Sequence, residues 1–311
     1  MRRLALLLCL AAASARADDN DVQLYRLGHP DELNCTRCDG QPGDSKEPPT
    51  SGAQQRFHRF ASLLGLAFAP PFQETAGTLG QAGFEIGLSS SQAFLRVPDD
   101  AWATAGSEAS RPAPSVLVLP TLTVRKGLGA SLELGAAVSW LVNSQMAAFS
   151  GEVRFAPIDS VQYLPDLGLR AWGTRVVGTQ ELDLTAAGAD ALLSKSFGLA
   201  GVVKLQPYVQ GGVQFINASS GVVDFKPGVE NSLNPTADDG TFHNIGLFKN
   251  RFLRGAAGLR LVAGVVVLGL EGSLAQGTNA VQDDAPRAGE PPVAKNFIRL
   301  WSGAARLGFS F

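Results

Sequence analysis

"VKLQPYVQGGVQF", residues 203–215, alternates along its whole length. Val203, Leu205, Pro207, Val209, Gly211, Val213 and Phe215 are apolar or small, whereas Lys204, Gln206, Tyr208, Gln210 and Gln214 are polar or amphipathic. A period of two puts these sets on opposite faces of an extended strand. Residues 131–142, "SLELGAAVSWLV", do the same, with Leu132, Leu134, Ala136, Val138, Trp140 and Val142 set against Ser131, Glu133 and Ser139. Ten such segments lie at about 83–96, 115–126, 130–142, 146–156, 166–178, 181–197, 202–218, 247–263, 265–276 and 295–311. Many are longer than the ~5–6 residues usual for globular strands. They match the ~9–11 residues that a tilted strand needs to cross a bilayer.

The connections alternate as well. Long polar stretches at 97–114, 219–246 and 277–294 are separated by tight links at 126–129, 197–201 and 262–265, and two further links, 143–145 and 179–180, are short. Long loops at one rim and short turns at the other predict an all-β fold, a transmembrane antiparallel up-and-down β-barrel of about ten strands over residues 83–311. The longest uncharged apolar run in that region, Leu261 to Leu270, is too short to span as a helix. Thirty-five glycines with 45% hydrophobic and 17% charged residues fit a turn-rich β chain rather than a disordered one.

Ahead of the strands the pattern changes. Arg2 and Arg3, the apolar run Leu4 to Ala13 and the small-x-small triplet Ala15-Arg16-Ala17 read as a cleaved signal peptide over 1–17. Its removal takes away three arginines and no acidic residue, leaving 23 basic against 28 acidic side chains. That balance offers no basic patch for nucleic acid. Residues 18–82 form an N-terminal segment in which Phe57, Phe60, Ala61, Leu64 and Phe68 recur at helical spacing, predicting a helix over about 53–68. An even number of strands brings β-barrel termini to the same, periplasmic side. The helix is therefore expected to cap or plug the mouth beside the C-terminus.

The closing strand carries a resemblance. Phe311, with Phe309 and Leu307 on the same face, resembles the assembly signal of Gram-negative outer-membrane β-barrels, although the family pattern has a glycine where this chain has Arg306. "TLGQAGFEIGLS" (78–89), "LPDLGLRAWGTRV" (164–176), "LLSKSFG" (192–198) and "LQPYVQGGV" (205–213) are similar to a loose group of uncharacterised proteobacterial outer-membrane barrels. The resemblance implies residence in the cell outer membrane among its lipids and insertion by the barrel-insertion machinery. It implies no particular activity.

Alternation assigns the interior. Glu85, Arg125, Glu133, Glu152, Arg154, Arg170, Asp183, Lys204, Arg254, Arg260, Glu271 and Arg306 are expected to face the lumen, because an Arg or Lys facing lipid at mid-depth costs ~2–4 kcal/mol. A barrel this narrow with opposed charges inside is expected to be largely occluded by a salt-bridge network. Trp172 falls on the same inward face, while Trp140, Trp301, Phe149, Phe155 and Phe309 fall on the outward one and suit interfacial girdles. Pro120 and Pro207 predict bulges or rim positions, and the slip of alternation in "TAAGADALL" predicts a β-bulge near Gly188.

Catalytic motifs do not emerge. The three histidines, His29, His58 and His243, all follow the signal peptide, and none stands at i,i+4 from another histidine. No cofactor or metal is expected. A rim-active enzyme would have to use His243, beside Asp238 and Asp239. Cys35 and Cys38, in an exported chain, predict a local disulfide. The reading that follows is a non-enzymatic envelope component with periplasmic or envelope protein partners. The alternative is a narrow channel or transporter for ions or small solutes, gated by the N-terminal segment.

Overall fold

The computed structural model describes residues 18–30, 52–71, 73–97, 101–105, 113–159, 163–199, 203–227, 238–282 and 295–311; the expected signal peptide and the Cys35/Cys38 pair lie outside them. Ten strands build the wall: β1 (Phe84–Phe94), β2 (Val116–Gly129), β3 (Leu132–Trp140), β4 (Ala147–Ile158), β5 (Asp166–Val177), β6 (Leu182–Ser194), β7 (Val203–Ser220), β8 (Arg251–Ala263), β9 (Val266–Gln282) and β10 (Lys295–Ser310). Each pairs antiparallel with its neighbours in the chain, and β1 pairs with β10 from Glu85↔Ser310 to Phe94↔Trp301, so the sheet closes. Closure leaves no sheet edge along the membrane-crossing length, which a hydrocarbon environment requires. All ten periodic segments are wall strands.

Two local expectations are corrected. The tight turn expected at 126–129 falls at Gly129, Ala130 and Ser131, all with positive φ. No bulge interrupts "TAAGADALL": β6 pairs with β7 without a register shift from Leu182↔Ser220 to Ser194↔Tyr208. The apparent slip arose from reading Asp183 as inward, when Leu182, Leu184, Ala186 and Asp190 are the buried residues. Gly188 serves another purpose, since a Cβ there would lie 2.5 Å from the Trp172 ring. Each proline sits beside a break in the ladder on one side only, while the ladder on its other side runs on through Ser90↔Pro120 and Leu259↔Pro207. Pro120 is one residue beyond the last β2–β3 pair, Thr121↔Ser139, and Pro207 one beyond Ser194↔Tyr208.

Outward residues form an apolar belt. Leu88, Leu122, Leu134, Val153, Leu169, Val209, Leu253 and Leu307 are all exposed, and Leu270 reaches 66%. Exposed aromatics lie toward both ends, with Phe94, Trp140, Phe149 and Trp301 toward the long connections and Phe84, Phe155, Phe309 and Phe311 toward the short turns. A belt this extensive is a liability in water and is matched by lipid. Leu307, Phe309 and Phe311 face outward, as expected, while Arg306 is buried inside.

The interior has two layers. Toward the long connections the inward side chains are apolar: Leu117, Leu119, Val176, Leu184, Ile216, Phe252, Ile298 and Leu300 are buried. Toward the short turns they are charged. A 16-residue helix, α1 (Gly52–Ala67), lies in the apolar layer, with Phe57, Phe60 and Leu64 fully buried. Its Gly65 abuts the wall so closely that a Cβ would come within 2.8 Å of the Ile216 side chain, and Gln214 Nε2 donates to the Gly65 carbonyl at 2.9 Å. The helix is where the sequence predicts it. The mouth is not.

Its N-terminal end meets His243 and the long connections, and residues 18–30 lie at that same rim, opposite the end at which β1 begins and β10 finishes. Strand parity locates the start of β1 and nothing before it. The preceding chain runs back through the lumen because the apolar face of α1 finds its complement only in the layer beside the long connections.

Candidate functional site

Between α1 and β1 the chain crosses the charged layer as an extended strap, described over residues 68–71 and 73–83. Such a strap has no sheet partner, yet its buried backbone groups need hydrogen bonds. Wall side chains supply them. Arg254 donates to the Pro70 carbonyl at 3.2 Å, Gln210 to the Glu74 carbonyl at 2.8 Å, and Arg154 to the Thr75 carbonyl. The strap donates in turn: Gln73 N–H to Glu271 at 2.5 Å, Ala76 N–H to Ser194 Oγ at 2.9 Å, Thr78 N–H to Asp159 at 3.1 Å and Leu79 N–H to Glu133 at 3.0 Å. Strands from around the barrel thus hold one threaded segment.

The strap contributes a charge of its own. Glu74, buried at the centre, lies 3.1 Å from Arg125, 3.1 Å from Arg154 and 3.6 Å from Arg306. Glu85, also fully buried, pairs with Arg125 and Arg260 and, at 2.7 Å, with Arg306. Glu133 joins Arg125 at 3.1 Å to Arg154 at 2.8 Å, and Glu152 pairs with Arg170 at 2.8 Å. Beside these, Tyr208 donates to Glu271 at 2.9 Å, Trp172 Nε1 donates to Asp190 at 2.8 Å, and the Arg254 guanidinium stands 5.1 Å from the Trp172 ring centre. Six carboxylates (Glu74, Glu85, Glu133, Glu152, Asp190, Glu271) therefore meet six guanidiniums (Arg125, Arg154, Arg170, Arg254, Arg260, Arg306). The charges balance, which is what permits their burial.

Ten of the twelve expected lumen residues belong to this network. Asp183 does not: it faces outward and pairs with Arg175 at 2.5 Å, the two side chains 46% and 54% exposed. Near the rim an outward charge reaches water, so the penalty that forces charges inward lapses. Asp183→Asn is expected to change the unfolding free energy by less than about 1 kcal/mol, as for other exposed pairs, measured by denaturant titration in detergent. Lys204 has inward parity but stands exposed at the short-turn rim, outside the network. Glu74 and Asp190 were not expected inside. The first lies in a segment without periodicity, and the second was hidden by the misread phase of β6.

Glu74, Glu133 and Glu152 bring carboxylate oxygens within 4.8 Å of one another. Their charge is met by Arg125, Arg154 and Arg170, so the chemistry of the trio is that of ion pairing. Lumen cavities of about 30 Å³, near Arg254 and Glu271, and about 10 Å³, near Glu74 and Arg125, have room for little beyond isolated waters.

At the long-connection rim, residues 18–30 and the loops form a cap. Asn20 N–H donates to the Asn143 carbonyl at 2.9 Å, Asp21 accepts from Ser144 at 3.0 Å and Gln145 N–H at 2.8 Å, and Val22 bridges to Thr104. Leu24 N–H donates to Glu181, whose carboxyl burial pushes above the ordinary range while that N–H draws it down. Arg56 of α1 donates to the Leu27 carbonyl at 3.0 Å, and Phe57 stacks on Phe242 with centroids 4.6 Å apart. His243 offers its backbone, giving its N–H to Gln54 at 2.8 Å and taking one back at 3.0 Å, while its ring is exposed. His58 is held by Asn250 at 3.1 Å.

No family model matches the chain, and no curated protein matches it. Solved structures do. The outer membrane protease OmpT from Escherichia coli is 9% identical, with 77% of this chain and 99% of that chain covered and a TM-score of 0.39. Ail, the attachment invasion locus protein of Yersinia pestis, is 10% identical over 74% of this chain and 99% of its own, at a TM-score of 0.25. Neisserial surface protein A is 13% identical over 73% and 94%, at 0.27. Closed strand pairing and an outward apolar belt, read from this chain itself, make it a ten-stranded antiparallel barrel with the exterior of a membrane-spanning one.

Proposed function

We propose that this chain is an exported outer-membrane β-barrel that acts without catalysis, as a closed scaffold. Its long connections face the exterior, and they carry a folded cap that includes the protein's own N-terminal segment. The observation that supports this most is the course of the chain from α1 along the strap to β1, tied to wall side chains and joined to the cap where Arg56 donates to the Leu27 carbonyl. A lumen filled in this way favours presentation over transport. Periplasmic export by residues 1–17, assembly by the barrel-insertion machinery and contact with envelope partners belong to the same reading.

A gated channel is the second reading. What favours it is the manner of holding: strap and wall are joined by side-chain hydrogen bonds and ion pairs, which can exchange for water more readily than a sheet ladder. The two readings share the barrel and differ in whether the plug leaves it.

An epitope inserted after Asp18 tests the orientation. Antibody is expected to label intact cells as strongly as permeabilised ones. Labelling that appears only after permeabilisation would place the cap in the periplasm and overturn the proposal.

A further inference from the structure

On its β1 side, β10 is paired only as far as Trp301, opposite Phe94, although the strand continues to Lys295 along β9. Beyond Phe94 the first chain keeps to β2, with Leu95 N–H donating to the Ser115 carbonyl at 2.8 Å. The wall is thus notched at the upper end of the β1–β10 seam. A cleft of about 440 Å³ opens there, lined by Phe94, Arg96, Phe297, Arg299 and Trp301, with Arg59 of α1 reaching it from the lumen side.

The order of side chains is informative. Phe94 and Trp301 are exposed at the upper margin of the apolar belt, and exposed Phe297 follows on the same face nearer the rim. Arg96 and Arg299 share their outward parity two residues nearer the rim, about 7 Å farther along the strands, and Arg299 stands between exposed Trp301 and Phe297, the setting of charge among aromatics that suits a headgroup level. Both arginines are exposed, and continuing the seam register sets them opposite each other. Like charges across a seam repel. Arg299 Nε donates to Gln276 at 2.8 Å, which orients the guanidinium without adding negative charge. A doubly charged oxyanion between the two forks would turn the repulsion into paired, charge-assisted hydrogen bonds.

We propose that this cleft binds a phosphorylated lipid of the leaflet beside the long-connection rim, with phosphate between Arg96 and Arg299 and acyl chains along Phe94 and Trp301. The assignment rests on the membrane orientation proposed above. A free phosphate offers the same headgroup chemistry and lacks the chains that the aromatic pair would cover.

The test uses the full-length mature chain, purified in detergent and delipidated, with binding read by native mass spectrometry. Probes are an acylated diglucosamine bisphosphate, its dephosphorylated form and orthophosphate. One bisphosphate lipid is expected per chain. Arg96→Gln/Arg299→Gln should bind at least about tenfold more weakly, from the loss of two charge-assisted contacts, and removal of the phosphates should weaken binding to wild type as much. Equal binding by wild type and the double variant overturns the clamp, and so does orthophosphate that displaces the lipid at equal concentration. Heat-modifiable gel mobility is read on the same samples. A wild type lacking it overturns the membrane reading beneath, whereas a folded wild type indifferent to phosphate overturns the clamp alone.

Discussion

Glu85→Ala is expected to cost the barrel about 3–5 kcal/mol of folding stability, the range seen when one partner of a buried ion pair is removed. Glu85 is fully buried and faces Arg125, Arg260 and Arg306 at once, so its loss leaves three guanidiniums sharing too little negative charge at the closing seam. Glu85→Gln keeps a hydrogen-bond acceptor and removes the charge, and should fall between wild type and alanine. Denaturant unfolding in lipid vesicles measures the effect. A loss below about 1 kcal/mol for alanine, the scale expected for exposed Asp183, would show that the network does not stabilise the fold.

Removing the threaded chain should open the lumen. Deletion of residues 18–79 takes away α1, about 10–12 Å across with its side chains, together with the strap. Wild type is expected to be silent in planar-bilayer recording and the deletion variant to show stepwise conductance. Loss of Glu74 leaves Glu85, Glu133, Glu152, Asp166, Asp190 and Glu271 against six arginines, so the open form should discriminate little between anions and cations. A folded, heat-modifiable deletion variant that stays silent would contradict occlusion by the N-terminal chain. Stepwise conductance in wild type would favour the gated channel.

The wall was legible because lipid imposes the strictest rule on a strand. An outward charge at mid-depth is costly, so alternation in stretches such as 203–215 and 131–142 survives with few exceptions, and all ten strands follow from it. Where the rule relaxes, reading fails. Asp183 lies near the rim and obeys water instead of lipid, and misplacing it shifted the phase of β6, created a bulge that does not exist and hid Asp190. The apolar inner layer left a signal that alternation alone does not capture. "SVLVLP" at 115–120 is apolar on both faces because Leu117 and Leu119 turn inward into the apolar cluster that also holds α1, while Val116 and Val118 turn outward. A double-faced apolar run in a membrane barrel reports something packed inside.

The candidate site was half legible for a related reason. Wall residues of the network have a period and can be assigned a face. Glu74 lies in a strap whose conformation is set by tertiary hydrogen bonds from Gln210, Arg154 and Glu133, and no local pattern encodes it. The path of the N-terminal chain was illegible as well, since parity constrains only strands. Its direction depends on the match between the apolar face of α1 and the layer formed by residues such as Ile216, Phe252 and Leu300.

Residence of α1 inside the barrel is tested most directly by a disulfide. Gly65 stands against Ile216 on β7, close enough for Gly65→Cys/Ile216→Cys to join helix to wall, in a chain whose Cys35 and Cys38 are replaced by serine. Near-complete oxidation is predicted in the folded protein, seen as faster non-reducing migration after boiling and reversed by reductant. Two thiols that stay reduced, and that a maleimide modifies while the barrel is folded, would contradict a helix lodged in the lumen.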